Sequence, residues 1–117
     1  MNSRNHYLTS AIMISLFTLS ELATADTGSI KIISPVDDTT LYSSKENSVK
    51  YEFTKGDRGD HIHIWVDGKK GPSQKALKGT YTLPPLSSGS HAIIAKVVDK
   101  GHVPTGPEKS IFVKVEE

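Results

Sequence analysis

The chain has 117 residues, 14 of them basic and 13 acidic, and no cysteine. The absence of thiols excludes disulfides, thiolate metal ligands, cysteine nucleophiles and attachment through a lipidated cysteine. A charge so near balance argues against nucleic acid or an anionic membrane as partner.

Residues 1–25 read as an export signal. Arg4 and the amino terminus supply positive charge, residues 8–19 form an uncharged, largely apolar run, and Ala23-Thr24-Ala25 is a small-residue cleavage site. The run is 12 residues long, short of the ~20 that a membrane-spanning helix needs. Cleavage, with no stable membrane insertion afterwards, is therefore expected. Residues 26–117, 92 of the 117, remain as one domain in the periplasm or outside the cell. Loss of Arg4 and Glu21 with the signal leaves 13 basic and 12 acidic residues.

The domain opens with a strand over 29–34, built on Ile30 and Ile32 and stopped by Pro35. Residues 36–40 are turn-like, with Asp37-Asp38 suited to bonding backbone amides. Residues 48–54 alternate Val49, Tyr51 and Phe53 against Lys50 and Glu52, as a sheet wet on one face requires. After a loop containing Arg58-Gly59-Asp60, the stretch 60–67 is a strand of strict alternation. Ile62, Ile64 and Val66 share one face; His61, His63, Trp65 and Asp67 share the other. Alternation fixes the two sets but not which lies inside. Asp67-Gly68 turns the chain, Gly71-Pro72 breaks it, and 75–77 reads as a short edge strand. A strand over 80–83 ends at Pro84-Pro85. The longest strand, 90–99, is apolar on both faces, which places it mid-sheet. A loop over 100–107 and a last strand over 109–116 complete the chain.

No helical period appears after residue 25. Six or seven short strands between Gly, Pro, Ser and Asp turns predict an all-β fold: an immunoglobulin-like sandwich of two antiparallel sheets.

Asp60-His61-Ile62-His63 with Asp67, Leu83-Pro84-Pro85 with Gly89-Ser90-His91, and Asp99-Lys100-Gly101-His102-Val103-Pro104 form three blocks. In these the chain resembles a family of short exported bacterial domains of unknown function. Members of that family also carry a histidine between the first two blocks, where this chain has Gly79-Thr80-Tyr81. The latter half is similar to bacterial immunoglobulin-like repeats. The resemblance implies a fold and a compartment, not an activity.

Four histidines follow the signal, and strand order sorts them. Pairing of the third strand with the sixth, antiparallel, sets His61 and His63 beside Asp99 and the His102 loop. His91 falls at the far end, where it should cover the core edge and bond backbone. Imidazoles at i and i+2 on one strand can share an ion, and His102, with an oxygen from Asp99, Asp60 or Asp57, could complete a site. Such ligands suit copper, zinc or nickel in the divalent state. The same face supports a second reading, in which Trp65, Ile94, Val98 and Phe112 form an apolar patch for a protein partner. Ser90 and His91 are adjacent in a strand and point apart, and the chain has no nucleophile elbow or phosphate loop. The expectation is a non-catalytic binding or accessory module that takes copper or zinc, or, without metal, an envelope structural or protein-interaction domain.

Overall fold

The computed structural model describes residues 25–117. The export-signal reading falls on residues outside these, apart from Ala25. The chain forms eight strands: β1 (Ser29–Ser34), β2 (Thr39–Tyr42), β3 (Ser48–Thr54), β4 (His61–Val66), β5 (Lys69–Lys70), β6 (Lys78–Thr82), β7 (Gly89–Val98) and β8 (Pro104–Glu116). There is no helix among the described residues, and so none long and apolar enough to cross a membrane. The strands form two sheets, one ordered β1-β3-β6 and the other β2-β8-β7-β4-β5. All pairings are antiparallel except that of β2 with β8. The predicted immunoglobulin-like sandwich is the observed fold.

The core lies between the sheets. Val49, Tyr51 and Phe53 of β3 meet Ile62 and Ile64 of β4, Ile93, Ala95 and Val97 of β7, and Ile111 and Val113 of β8. Each fully buried Ile or Val contributes roughly 1.5–3 kcal/mol, so packing against the second sheet fixes Ile62 and Ile64 as the inner set of β4, a choice that alternation leaves open. A slip of one residue would turn Trp65 toward the core and Ile62 and Ile64 away from it.

Three departures from the sequence reading go beyond shifts of a residue or two at strand ends. The acidic turn at Asp37-Asp38 is present, but it leads into β2, which 36–40 did not reveal. The Asp37 carboxylate accepts the Phe112 amide at 2.8 Å, and the Asp38 amide donates to Phe112 O at 2.8 Å. β2 is held by β8 rather than by an alternating pattern of its own. The edge strand expected at 75–77 is instead β5, continued by a bridge between Gln74 and Ile62. The final strand begins at Pro104, which pairs with Val98, so the loop between β7 and β8 shrinks to residues 99–103.

The pairing of β4 with β7 positions the functional end. His61 lies opposite Val98, His63 opposite Lys96 and Trp65 opposite Ile94. The start of β4 thus sits beside the end of β7 and the turn that leaves it.

Candidate metal centre

His61, His63 and His102 converge. His61 Nε2 is 3.2 Å from His63 Nε2 and 3.2 Å from His102 Nδ1, and His63 Nε2 is 3.0 Å from His102 Nδ1. Alternation puts the first two on one face of β4, and the tight β7–β8 turn supplies the third. In that turn the Asp99 carboxylate accepts the Gly101 amide at 2.8 Å and the Val103 amide at 3.0 Å. His102 takes a positive φ of 66°, a conformation in which His is among the more tolerant residues.

The sequence leaves open which face of β4 lies inside, and the structure buries both at the start of the strand. His61 and His63 are only 2% and 4% exposed. The chain after β5 runs back along the free edge of β4. The Gly71 amide donates to Ile64 O at 2.9 Å, and Ile62 and Gln74 exchange amide bonds at 3.0 and 2.9 Å. Between these anchors Pro72 and Ser73 bulge, bringing Ser73 Oγ within 3.5 Å of His63 Nε2.

Each buried ring is oriented by its other nitrogen. His61 Nδ1 donates to the Asp60 carboxylate at 2.9 Å, and His63 Nδ1 donates to Gly71 O at 2.8 Å. A carboxylate and a carbonyl only accept, so both neutral rings carry their proton on Nδ1 and present a bare Nε2 lone pair to the cluster. Imidazoles that bind metal are held in this way, with the far N–H on a carboxylate or backbone carbonyl. Two lone pairs facing each other repel, and the one proton His102 Nδ1 can carry satisfies only one of them. A cation satisfies all three.

The spacing fits one. Bonds of about 2.0–2.1 Å set donors about 3.3 Å apart around a tetrahedral ion and about 2.9 Å apart around a square or octahedral one. The three separations of 3.0 to 3.2 Å fall between these values. Burial pushes the His63 pKa below that of an ordinary imidazole, against the smaller opposing effect of the Gly71 carbonyl. Neutral His63 is the form that binds metal. Asp60 is held below the usual carboxylate range, first by its bond to His61.

Asp99 was expected among the ligands and is not in the group, which comprises His61, His63 and His102 alone. Its carboxylate shapes the turn instead. Asp60 acts behind His61 rather than on an ion, which also turns the Arg58-Gly59-Asp60 carboxylate inward. Sequence reasoning missed Gly71 and Ser73. A carbonyl acceptor has no residue-type signature, but the glycine has a visible cause: a Cβ at Gly71 would sit 2.9 Å from Ile64 O and 2.9 Å from Tyr81 Oη. Gly71→Ala is expected to push this segment off β4, costing about 1–3 kcal/mol by overpacking and about 10- to 100-fold in metal affinity through the lost His63 acceptor. Chemical denaturation and metal titration of the same variant measure the two losses.

The second set of residues is only partly together. Trp65 and Ile94 are neighbours and half-buried, and Phe112 is 57% exposed. Val98 cannot join an exposed patch, because it is fully buried opposite His61 where the strand runs under the turn. Lys96 lies 5.0 Å over the Trp65 ring, whose edge contacts His63 with centroids 5.8 Å apart.

His91 is at the far end, as its place on β7 requires. Its Nδ1 bonds the Asp67 carboxylate and its Nε2 reaches Ser87 O at 2.7 Å. The bond to Asp67 raises the His91 pKa, and the same bond lowers that of Asp67. The His91 contribution to stability is present below its ordinary pKa and is lost as pH rises through the raised value. The Asp67 contribution is present above the ordinary carboxylate pKa and is lost as pH falls through the lowered one. The pair therefore stabilises most between about pH 4 and 6.5. Asp67 is half exposed, which limits the gain to about 1 kcal/mol. Denaturation at pH 5 and pH 8 should show His91→Gln losing more stability at pH 5 than at pH 8.

No family model matches the chain, and no curated protein does. Among solved structures it is similar to the Clostridium thermocellum CbhA fibronectin(III)-like modules, at 16% identity and a TM-score of 0.63 over 80% of this chain and 49% of that one. An engineered protein matches at 16% identity and a TM-score of 0.54, over 77% of this chain and 20% of the other. The extracellular domain of a B. thetaiotaomicron protein matches at 15% identity and a TM-score of 0.50, over 79% and 15%. The chain spans half or less of the length of each. At these identities the likeness establishes the sandwich fold alone.

Proposed function

We propose that the protein is an exported, non-catalytic accessory module that holds a divalent copper or zinc ion through His61, His63 and His102. The observation that carries this reading is the pair of buried rings whose Nδ1 protons are engaged by Asp60 and Gly71, leaving bare Nε2 atoms 3.2 Å apart beside His102. A donor set of imidazoles without sulfur suits both ions, and the ordinary order of affinities favours copper. When bound, the ion would supply a Lewis-acid centre at one end of the sandwich. Asp60 would orient His61, Gly71 would orient His63, and the turn shaped by Asp99 would present His102. The reading of residues 1–25 as an export signal supports export, as does the resemblance of the three sequence blocks to short exported bacterial domains.

Calorimetric titration with copper and zinc tests the reading. One equivalent should bind, and copper should quench the single tryptophan, Trp65, which touches His63. Binding that survives both His61→Ala and His63→Ala would remove these ligands from consideration.

A second reading rests on the exposure of Phe112, which lies opposite Ala92 on the sheet face that carries Trp65 and Ile94. Phe112, Trp65 and Ile94 form the remaining candidate surface for a protein partner on the five-stranded sheet.

A further inference from the structure

We propose that an ion held by His61, His63 and His102 keeps a coordination position open to solvent and takes a small exogenous anion there. The inference rests on the metal reading above and adds the class of molecule the centre engages.

Charge is the first observation. All three donors are rings that are neutral when they bind, so none offsets the two positive charges of the ion. The nearby carboxylates are engaged elsewhere, Asp60 by His61 at 2.9 Å and Asp99 by the amides of its own turn. Among the described residues no acidic side chain joins the three histidines. Lys55 and Lys100 lie near Asp60, and Lys70 lies near His63. Asp60 keeps its negative charge behind His61, but with the two charges of the ion and Lys55, Lys70 and Lys100 nearby the loaded centre retains a net positive charge, and an anion is the ligand that relieves it.

Geometry is the second. Three nitrogens 3.0 to 3.2 Å apart occupy one triangular face of a coordination sphere. Zinc sites with three protein ligands keep the fourth position for an exogenous group. His102 is exposed while His61 and His63 are buried, so the β7–β8 turn is the side of the cluster that faces solvent.

Ser73 is the third. It lies in the bulge between Gly71 and Gln74, is itself exposed, and holds its hydroxyl 3.5 Å from His63 Nε2. That hydroxyl is too far to bond the ring strongly, but it is placed to donate to a ligand bound beside His63. Ser73 is accordingly a positioning residue for the anion.

The test uses the copper-loaded protein, with loading followed by Trp65 quenching, titrated with sodium azide. A saturable azide-to-copper charge-transfer band at one azide per copper is expected. Ser73→Ala should weaken azide about three- to tenfold, the effect of one lost hydrogen bond, measured on protein loaded to one copper per chain. Copper that binds and quenches Trp65 but develops no azide band would overturn the open position while leaving the metal site standing. Copper that fails to bind would overturn both. Unaltered azide affinity in Ser73→Ala would overturn the part given to its hydroxyl.

Discussion

His63→Ala is expected to abolish binding of one equivalent of copper or zinc, and with it the rise in thermal stability that the metal confers. A ligand bound only by the folded state stabilises it by about 2.7 kcal/mol when present at 100 times its Kd. For a domain of this size each kcal/mol moves Tm by about 4–8 °C, so the parent protein should gain roughly 10–20 °C on saturation. The variant should gain almost nothing. Loss of a direct ligand exceeds the about 10- to 100-fold typical of an outer partner. The variant also leaves Gly71 O without its donor, which costs about 1–3 kcal/mol, so each protein must be compared with its own metal-free form. His61→Ala should behave alike, since His61 is equally buried and its Nε2 meets both other rings. Scanning calorimetry with and without zinc reads both effects. An undiminished shift in either variant would contradict the ligand assignment.

The second large effect separates binding from folding. His102 is exposed and sits at φ 66°, so His102→Gly removes a ligand where glycine suits the backbone. Relief of the left-handed conformation, about 1–2 kcal/mol, offsets the entropy cost of glycine, about 0.5–1 kcal/mol. Metal-free stability should therefore stay within about 1 kcal/mol of the parent, while metal affinity falls about 100-fold or more, beyond the range for an outer partner. Denaturant unfolding and zinc titration on one preparation compare the two. A variant that keeps full affinity would show that His61 and His63 suffice and that the turn contributes no donor.

Alternation and strand order made much of this site legible. His61 and His63 share a face because side chains in a strand repeat every two residues. His102 lies near them because the third predicted strand pairs with the sixth in an immunoglobulin-like order, and β4 does pair with β7. His91 was separable from the group for the same reason.

What escaped the sequence is held by contacts that leave no pattern in side-chain type. β2 and the segment after β5 are stabilised by backbone bonds to β8 and β4, so neither shows an alternating run of its own. Covering the outer face of β4 depended on the second of these, and Gly71-Pro72 read only as a break. Asp99 looked like a ligand because an aspartate beside a histidine-bearing loop serves metal sites and turns equally well. No Asp99 oxygen lies in the cluster, and its Oδ1 accepts two amides of the turn. Val98 was assigned to an exposed patch because alternation gives a face and says nothing of a loop lying over it.

Long-range nitrogen–proton NMR of the imidazole rings, recorded before and after one equivalent of zinc, tests the assignment of ligand atoms most directly. Nε2 of His61, Nε2 of His63 and Nδ1 of His102 should shift on zinc binding, the Nδ1 protons of His61 and His63 should persist, and His91 should not respond. Coordination through Nδ1 of either buried ring, or rings that stay unchanged while zinc is bound elsewhere, would contradict the account.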